Sequence, residues 1–441
     1  MKKRTAVPLR PNIGSKVSVP IFLLTTLLMC FSQSCEDTDP PRTLSSKMVM
    51  LWNGQIQKAY TFPLGVGLPT PIISRLFAMY HVAMHDALNS IEPKFNTYAS
   101  QVIDEMADPD ASVVQAVYDV LAQIGPQDGP HKFSIDSLFN ASMTSIPDGE
   151  AKEKGIALGK IVAKAVLDKR SADVPFLQLT GYNPTPPSGD QPGEYKHLPP
   201  LNYALAGFHL MKPWAMTSGK QFPVEPPDAI NSAEYATDYN EVMELGDLNS
   251  TKRTQDQKNL GIFWAENTSR GWNDIARATL ETTGVALDAY EAARLLATLH
   301  IAIADAYISV FDSKMQYYYW RPITAIKDGE SDGNPGTQGK PTWQATLVTP
   351  PIPEYPSAHA MTGAAAGQVL NSHFGKSNIA FHITSGYFPG TRSFSSIDAA
   401  IRENSLSRIY IGYHFRKAVD VGEEVGYEIG DYVYHNVLKP K

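Results

Sequence analysis

Residues 75–87, RLFAMYHVAMHDA, and residues 294–306, RLLATLHIAIADA, share arginine, leucine, histidine and aspartate at a constant offset of 219. In both, apolar residues return at three- and four-residue steps, the period of a helix buried along one face. Two related helices imply two related bundles. The same period runs through 72–91, 113–124, 151–167, 290–310 and 357–373, while alternating, strand-like stretches are few and short. The expectation is an all-α protein, two related helical bundles packed into one large domain. The duplicated His81 and His300, and the duplicated Asp86 and Asp305, read as packing and hydrogen-bonding residues. His81-Val-Ala-Met-His85 has the spacing of two metal ligands but lacks the zincin glutamate and any evident third ligand.

The chain has 441 residues, 38 Lys+Arg against 45 Asp+Glu for a formal net charge of −7, and is 43% hydrophobic, enough for a sizeable core. Its body has no basic block, which excludes the positive footprint of a nucleic-acid partner. Lys2, Lys3, Arg4, Arg10 and Lys16 surround the start of an apolar run, Val17 to Phe31, too short to span a bilayer comfortably. Ser32-Gln33-Ser34-Cys35 follows and resembles a bacterial lipoprotein box, with Ser32 where leucine is usual. That resemblance implies a signal peptide over 1–34 and a lipid on Cys35 anchoring the protein to the bacterial outer membrane. Glu36, Asp37 and Asp39 lie in a tether over 35–47, like those that send lipoproteins to the outer surface. An ordinary secretory signal with an incidental cysteine is the alternative. Cleavage takes the net charge from −7 to −12, and both cysteines, Cys30 and Cys35, belong to the leader region, so the body has no disulfide or thiolate chemistry. The body divides into an N-terminal bundle (48–174), a connection (175–230) holding 11 of the 33 prolines, and a C-terminal bundle (231–441). A long irregular connection of this kind commonly wraps or covers an active site.

The chemistry collects in the last third. Lys314 and Arg321 are seven residues apart, which on a helix sets both on one face, and Pro322 places Arg321 at a helix end. Tyr355-Pro356-Ser357-Ala358-His359 leads into an apolar helix that Ser357 can cap, and the exposed amides of a helix start seat anions. Ser407-Arg408 and His414 stand six residues apart, about 120° around a continuous helix. Convergence therefore requires a break, which Gly412 can supply. Each motif alone is compatible with a structural role. Together they assemble three permanent cations, a hydroxyl, helix-start amides and two histidines, the set needed to hold a tetrahedral oxyanion.

The ordered motifs Lys314-x6-Arg321-Pro322, Pro356-Ser357-Ala358-His359 and Ser407-Arg408-x5-His414 resemble the signature of the vanadium-dependent haloperoxidases, type 2 phosphatidic acid phosphatases and bacterial acid phosphatases. The likeness extends over 75–89, 211–246 and 294–326, most of the body, and implies a fold like vanadium chloroperoxidase. Carried over residue by residue, it implies a vanadate cofactor with His414 as the vanadium ligand. Lys314, Arg321 and Arg408 would neutralise the oxyanion, while Ser357 and the Ala358 amide donate hydrogen bonds. His359 would be the acid–base group and Lys314 would polarise hydrogen peroxide, which a halide attacks to give hypohalous acid. Two departures stand out. Ala358 replaces the usual glycine, and Ala418 occupies the position of the aspartate that orients the histidine in the phosphatases; Asp420, Asp305 and Asp312 are the candidates to replace it. The alternatives are a phosphatase acting on a phosphate ester through a phosphohistidine at His414, with phosphate in the same pocket, and a surface-tethered binding lipoprotein without catalysis. Tyr317, Tyr318, Tyr319 and Trp320 are candidates for the pocket mouth or the core, and His435 receives no role.

Overall fold

The computed structural model describes residues 44–60, 68–127, 129–173, 189–197, 205 and 207–441. The leader, both cysteines and residues 35–43 of the tether lie outside the described residues, as does much of the proline-rich connection. Thirteen helices form among the described residues: α1 (Lys47–Ala59), α2 (Thr70–Asn89), α3 (Pro109–Ile124), α4 (Gly129–Ser145), α5 (Glu150–Lys169), α6 (Ala233–Leu245), α7 (Gln255–Phe263), α8 (Thr268–Thr283), α9 (Ala289–Tyr317), α10 (Pro322–Lys327), α11 (Ala358–Phe374), α12 (Ile397–Tyr410) and α13 (Arg416–Asn436). A single hairpin, β1 (Phe381–Thr384) with β2 (Thr391–Phe394), pairs antiparallel with Phe381 opposite Phe394.

The two helices that carry the duplicated sequence, α2 and α9, pack against each other at the centre. Their histidines meet: the His81 and His300 rings stack with centroids 4.3 Å apart. His81 Nε2 lies 2.9 Å from Asn53 Nδ2 and His300 Nε2 lies 3.1 Å from Asn273 Oδ1. Asn53 in turn donates to Asn273 at 2.7 Å, which ties α1 to α8. Burial depresses the His81 imidazole to about 4. These histidines are packing groups, as the repeat implies.

The repeat also fixes backbone geometry. Asp86 accepts from the amides of Tyr98, Ala99 and Ser100, and Asp305 from those of Trp214, Ala215 and Met216. Arg75 donates to the Arg170 carbonyl just past α5, and Arg294 to the Tyr434 and Leu438 carbonyls at the end of α13. The pairs α3–α5 and α11–α13 match in detail. Asp108 N donates to Ala151 O in one, Ser357 N to Ala418 O in the other. A methyl group on Gly155 would strike Asp108 O and Ala111, and one on Gly422 would meet Ser357 O and Ala360. Glycine lets each final helix sit directly on its partner's backbone, as small residues do at close helix crossings.

Gly426 is the tightest of these crossings, where an added Cβ would lie 2.3 Å from Met361 O. We expect Gly426→Ala to destabilise the protein by about 1–3 kcal/mol through overpacking, read as a lowered urea midpoint at unchanged slope.

Candidate functional site

Lys314 and Arg321 come together because the chain turns. The helix α9 stops at Tyr317, Tyr318 adopts a left-handed conformation (φ 48), and Tyr319 forms a bridge with Glu194 before Arg321 caps α10. The continuous helical face expected for the pair is therefore corrected: a helix break, rather than helical period, aims the two cations. Pro322 occupies the first turn of α10, where its missing N–H costs nothing. Trp320 and Tyr319 are buried core, and Trp320 stacks toward Tyr235.

The second break falls where the sequence asks for it. Gly412 lies between α12 and α13 at φ +79. Its amide donates to Ile409 O and that of Tyr413 to Arg408 O, the paired bonds of a Schellman turn. A Cβ there would lie 2.7 Å from Gly246 O and 2.8 Å from the Trp343 ring. The turn swings His414 back toward Arg321, whose Nη1 donates to His414 Nε2 at 3.1 Å and to Tyr413 O at 3.0 Å. Arg321 Nε donates to Ile352 O.

His414 is held from its other side by Glu354, a residue the sequence reading did not select. Glu354 Oε1 accepts from His414 Nδ1 at 2.8 Å and from the Phe415 amide at 3.0 Å. Because that oxygen receives two N–H groups, Nδ1 carries the imidazole proton and Nε2 presents its lone pair. Burial pushes the Glu354 carboxyl up to about 8 against the pull of Lys314 and Arg321. Burial, then the charges of Arg321, Lys314 and Arg408, hold His414 well below the usual histidine range, so its imidazole is neutral. None of the three acids considered for this task performs it. Asp420 pairs with Arg402, Asp305 binds the Trp214–Met216 amides, and Asp312 faces Lys220. The signal available in the sequence was an acid immediately ahead of the Tyr355–His359 motif.

The remaining groups close the pocket. Lys314 is fully buried and its Nζ donates to the carbonyls of Pro353, Glu354 and Pro356 at 2.7, 2.7 and 2.8 Å. All three ammonium protons are thus committed. Burial, then Arg321, presses Lys314 well below the usual lysine range. Arg408 donates to Ser407 Oγ and to Trp264 O, and burial lowers it to about 10. Ser357 caps α11 through the Ala360 amide, with Ala358 as the first helical residue. His359 follows, its Nε2 3.1 Å from Glu266 O; burial and then Arg408 depress it to about 3.

Arg321 contacts His414, and Lys314, Arg408 and His359 all lie near enough to act on the same imidazole, so the five side chains named by the three motifs share one buried place, with Ser357 brought beside it by the Lys314–Pro356 bond. Arg321 Nη2 and Arg408 Nη1 have no acceptor among the described residues, and the first amides of α11 have none within the helix. No group of three or more His, Asp, Glu or Cys able to wrap a bare cation occurs among the described residues. This donor set suits a tetrahedral oxyanion whose central atom meets His414 Nε2.

Fold and pocket together define a helical-bundle protein with a buried, cation-lined pocket suited to an oxyanion. A family model described as the VCPO second helical-bundle domain matches residues 294–440. Vanadium chloroperoxidase of Curvularia inaequalis is 24% identical over 491 residues, covering 86% of this chain and 80% of that protein. Among solved structures, the first bacterial vanadium-dependent iodoperoxidase superposes with a TM-score of 0.75 at 23% identity, over 91% of this chain and 99% of that one. The holo-type bacterial vanadium-dependent chloroperoxidase gives 0.69 at 17% identity, over 86% and 94%. Residues 294–440 thus match a haloperoxidase helical-bundle family, and the chain as a whole is similar in sequence and in fold to vanadium-dependent haloperoxidases.

If Glu354 sets the His414 tautomer, Glu354→Ala should weaken binding of orthovanadate by about 10–100-fold while helix content is retained. Calorimetric titration of vanadate-free protein, alongside circular dichroism, measures both.

Proposed function

We propose that this protein is a vanadate-dependent haloperoxidase, joining halide, hydrogen peroxide and a proton into hypohalous acid and water. The observation that carries the reading is the neutral His414 Nε2, fixed by Glu354 and set among three buried cations, in a chain that spans most of a vanadium chloroperoxidase. Bound vanadate would supply a Lewis-acidic centre for peroxide without changing oxidation state. The protein's own residues do the rest. Through Nε2, His414 holds the guest, and Glu354 keeps that atom free of a proton. Arg321 and Arg408 neutralise the oxyanion, with Ser357 and the Ala358 amide donating from the helix start.

His359 is the proton carrier. An anionic guest would raise its basicity from the depressed value that burial and Arg408 impose. Lys314 has a different part from the direct donation the resemblance implies. Its three protons bind carbonyls, so it contributes fixed positive charge and clamps the Pro353–Pro356 segment that delivers Ser357.

A second reading, a phosphatase working through a phosphohistidine at His414, gains support from Glu354. That residue orients the imidazole in place of the aspartate that Ala418 replaces. For the leader we propose lipidation at Cys35 and anchoring at the outer membrane, on the strength of its sequence alone; loss of lipid labelling in Cys35→Ser checks it.

Two assays separate the enzymatic readings. Protein reconstituted with vanadate should brominate or iodinate an indicator only when peroxide is present. Arg408→Ala should lower that rate by about 10²–10³-fold, the usual loss for one preorganised donor, and His414→Ala should abolish it. Vanadate-free protein, assayed beside it on a phosphate ester, tests the alternative. Ester hydrolysis with no peroxide-dependent halogenation would overturn the first reading in favour of the second.

A further inference from the structure

Beside His359 the chain leaves a crevice wide enough for about one monatomic ion or water. Phe263, Trp264, Trp272 and Ile383 give it apolar walls, and His359 lines it as well. Three features make its polar character specific. Trp272 is 1% exposed and its indole N–H has no acceptor among the described residues. The first turn of α8, beginning at Thr268, lines the same space and brings its positive dipole end and the amides of Thr268 and Ser269, the Arg270 amide being taken by the Asn267 cap. The carboxyl of Glu266, 6% exposed, borders it as well.

We propose that this crevice seats the monatomic halide, held by the Trp272 N–H and the start of α8, and that the Glu266–Arg270 pair sets how readily the anion enters. The proposal rests on the haloperoxidase reading for its ligand, and on the crevice itself for its location. An anion fits here because the indole and amide donors sit among apolar walls, which large polarisable halides tolerate better than strongly hydrated oxyanions do, and the one acidic group beside them, Glu266, is paired with Arg270. The place also suits the chemistry, since it adjoins the proton carrier.

Glu266 opposes the anion and Arg270 offsets it. Arg270 Nη1 lies 2.9 Å from Glu266 Oε1. The groups facing Glu266 are Arg270 and Asp274 from α8, Ser385, the Gly386 amide and Tyr387 from the hairpin, and His359 from α11, which reaches its carbonyl. Burial brings the Glu266 carboxyl up to about 7, so acid removes its charge and base restores it.

The test uses the full chain without vanadate and reads the crevice tryptophans directly. Iodide is an anionic quencher of tryptophan fluorescence and acrylamide a neutral one. Glu266→Gln is expected to raise iodide quenching roughly threefold with acrylamide quenching unchanged, and Arg270→Gln to lower it. In the unaltered protein iodide quenching should increase from pH 8 to pH 6, and in Glu266→Gln it should stay level. The quenched component should vanish in the Trp264→Phe, Trp272→Phe double variant. Equal iodide quenching in the unaltered protein and the two single-site variants, or its persistence in the double variant, overturns the proposal. In the vanadate-loaded enzyme Trp272→Phe should raise the halide KM while sparing the peroxide KM; an unaltered halide KM in an enzyme that halogenates also overturns it. Absence of halogenation alongside the expected quenching pattern would remove the haloperoxidase reading and leave the crevice as an anion seat.

Discussion

Three basic side chains buried within reach of one another are the constraint around which the second bundle is arranged. Lys314, Arg321 and Arg408 are at most 2% exposed, and Glu354 is the carboxylate that acts on both Lys314 and Arg321. Removing each charge from water costs several kcal/mol even after relaxation, and neighbouring like charges add to that cost. The protein meets it largely with carbonyl oxygens, those of residues 352, 353, 354, 356, 413 and 264. Carbonyls can surround a cation only if non-helical backbone is brought inside. That is why the pocket is walled by short irregular segments, and why rigid helices must grip those segments at both ends.

The grip explains which glycines matter. Gly422, Gly426 and Gly430 let α13 lie on the backbone of α11, and Ser357 is fastened to Ala418 across the same contact. Gly412 then turns the chain between α12 and α13 where no side chain would fit. His414 is thus positioned by packing on one side and by Glu354 on the other. The positive charge left over within this frame makes an anionic guest the natural complement.

Much of this was legible from the amino acids. Because buried stripes are local patterns, helical period located α2, α3, α5 and α11 within a few residues of their observed ends and found the start of α9, although it stopped seven residues short of the end of α9 at Tyr317. The 219-residue echo announced the paired bundles, and simple helix geometry singled out Gly412. What escaped were contacts between segments with no fixed spacing. The partnership of Glu354 with His414 spans sixty residues, and nothing local distinguishes that acid from Asp420. Lys314 read as a donor to the guest, and only the turn at Tyr318 and the returning Pro353–Pro356 segment show its protons already taken. The Glu266–Arg270 pair drew no attention in the sequence, because the hairpin and α11 that enclose it lie far along the chain.

Where Ser357 and His359 open α11, the first bundle has Asp108 and Asp110 opening α3, at matching places in the same helix pair. The Asp108 side chain accepts from the Ala111 amide, so a carboxylate of the chain itself sits at that helix start. One copy of the duplicated architecture is consequently self-quenched while the other stays open to a visitor. The molecule carries its own internal control: an effect that arises from crossing helices should show in both halves, whereas an effect of the chemistry belongs to one.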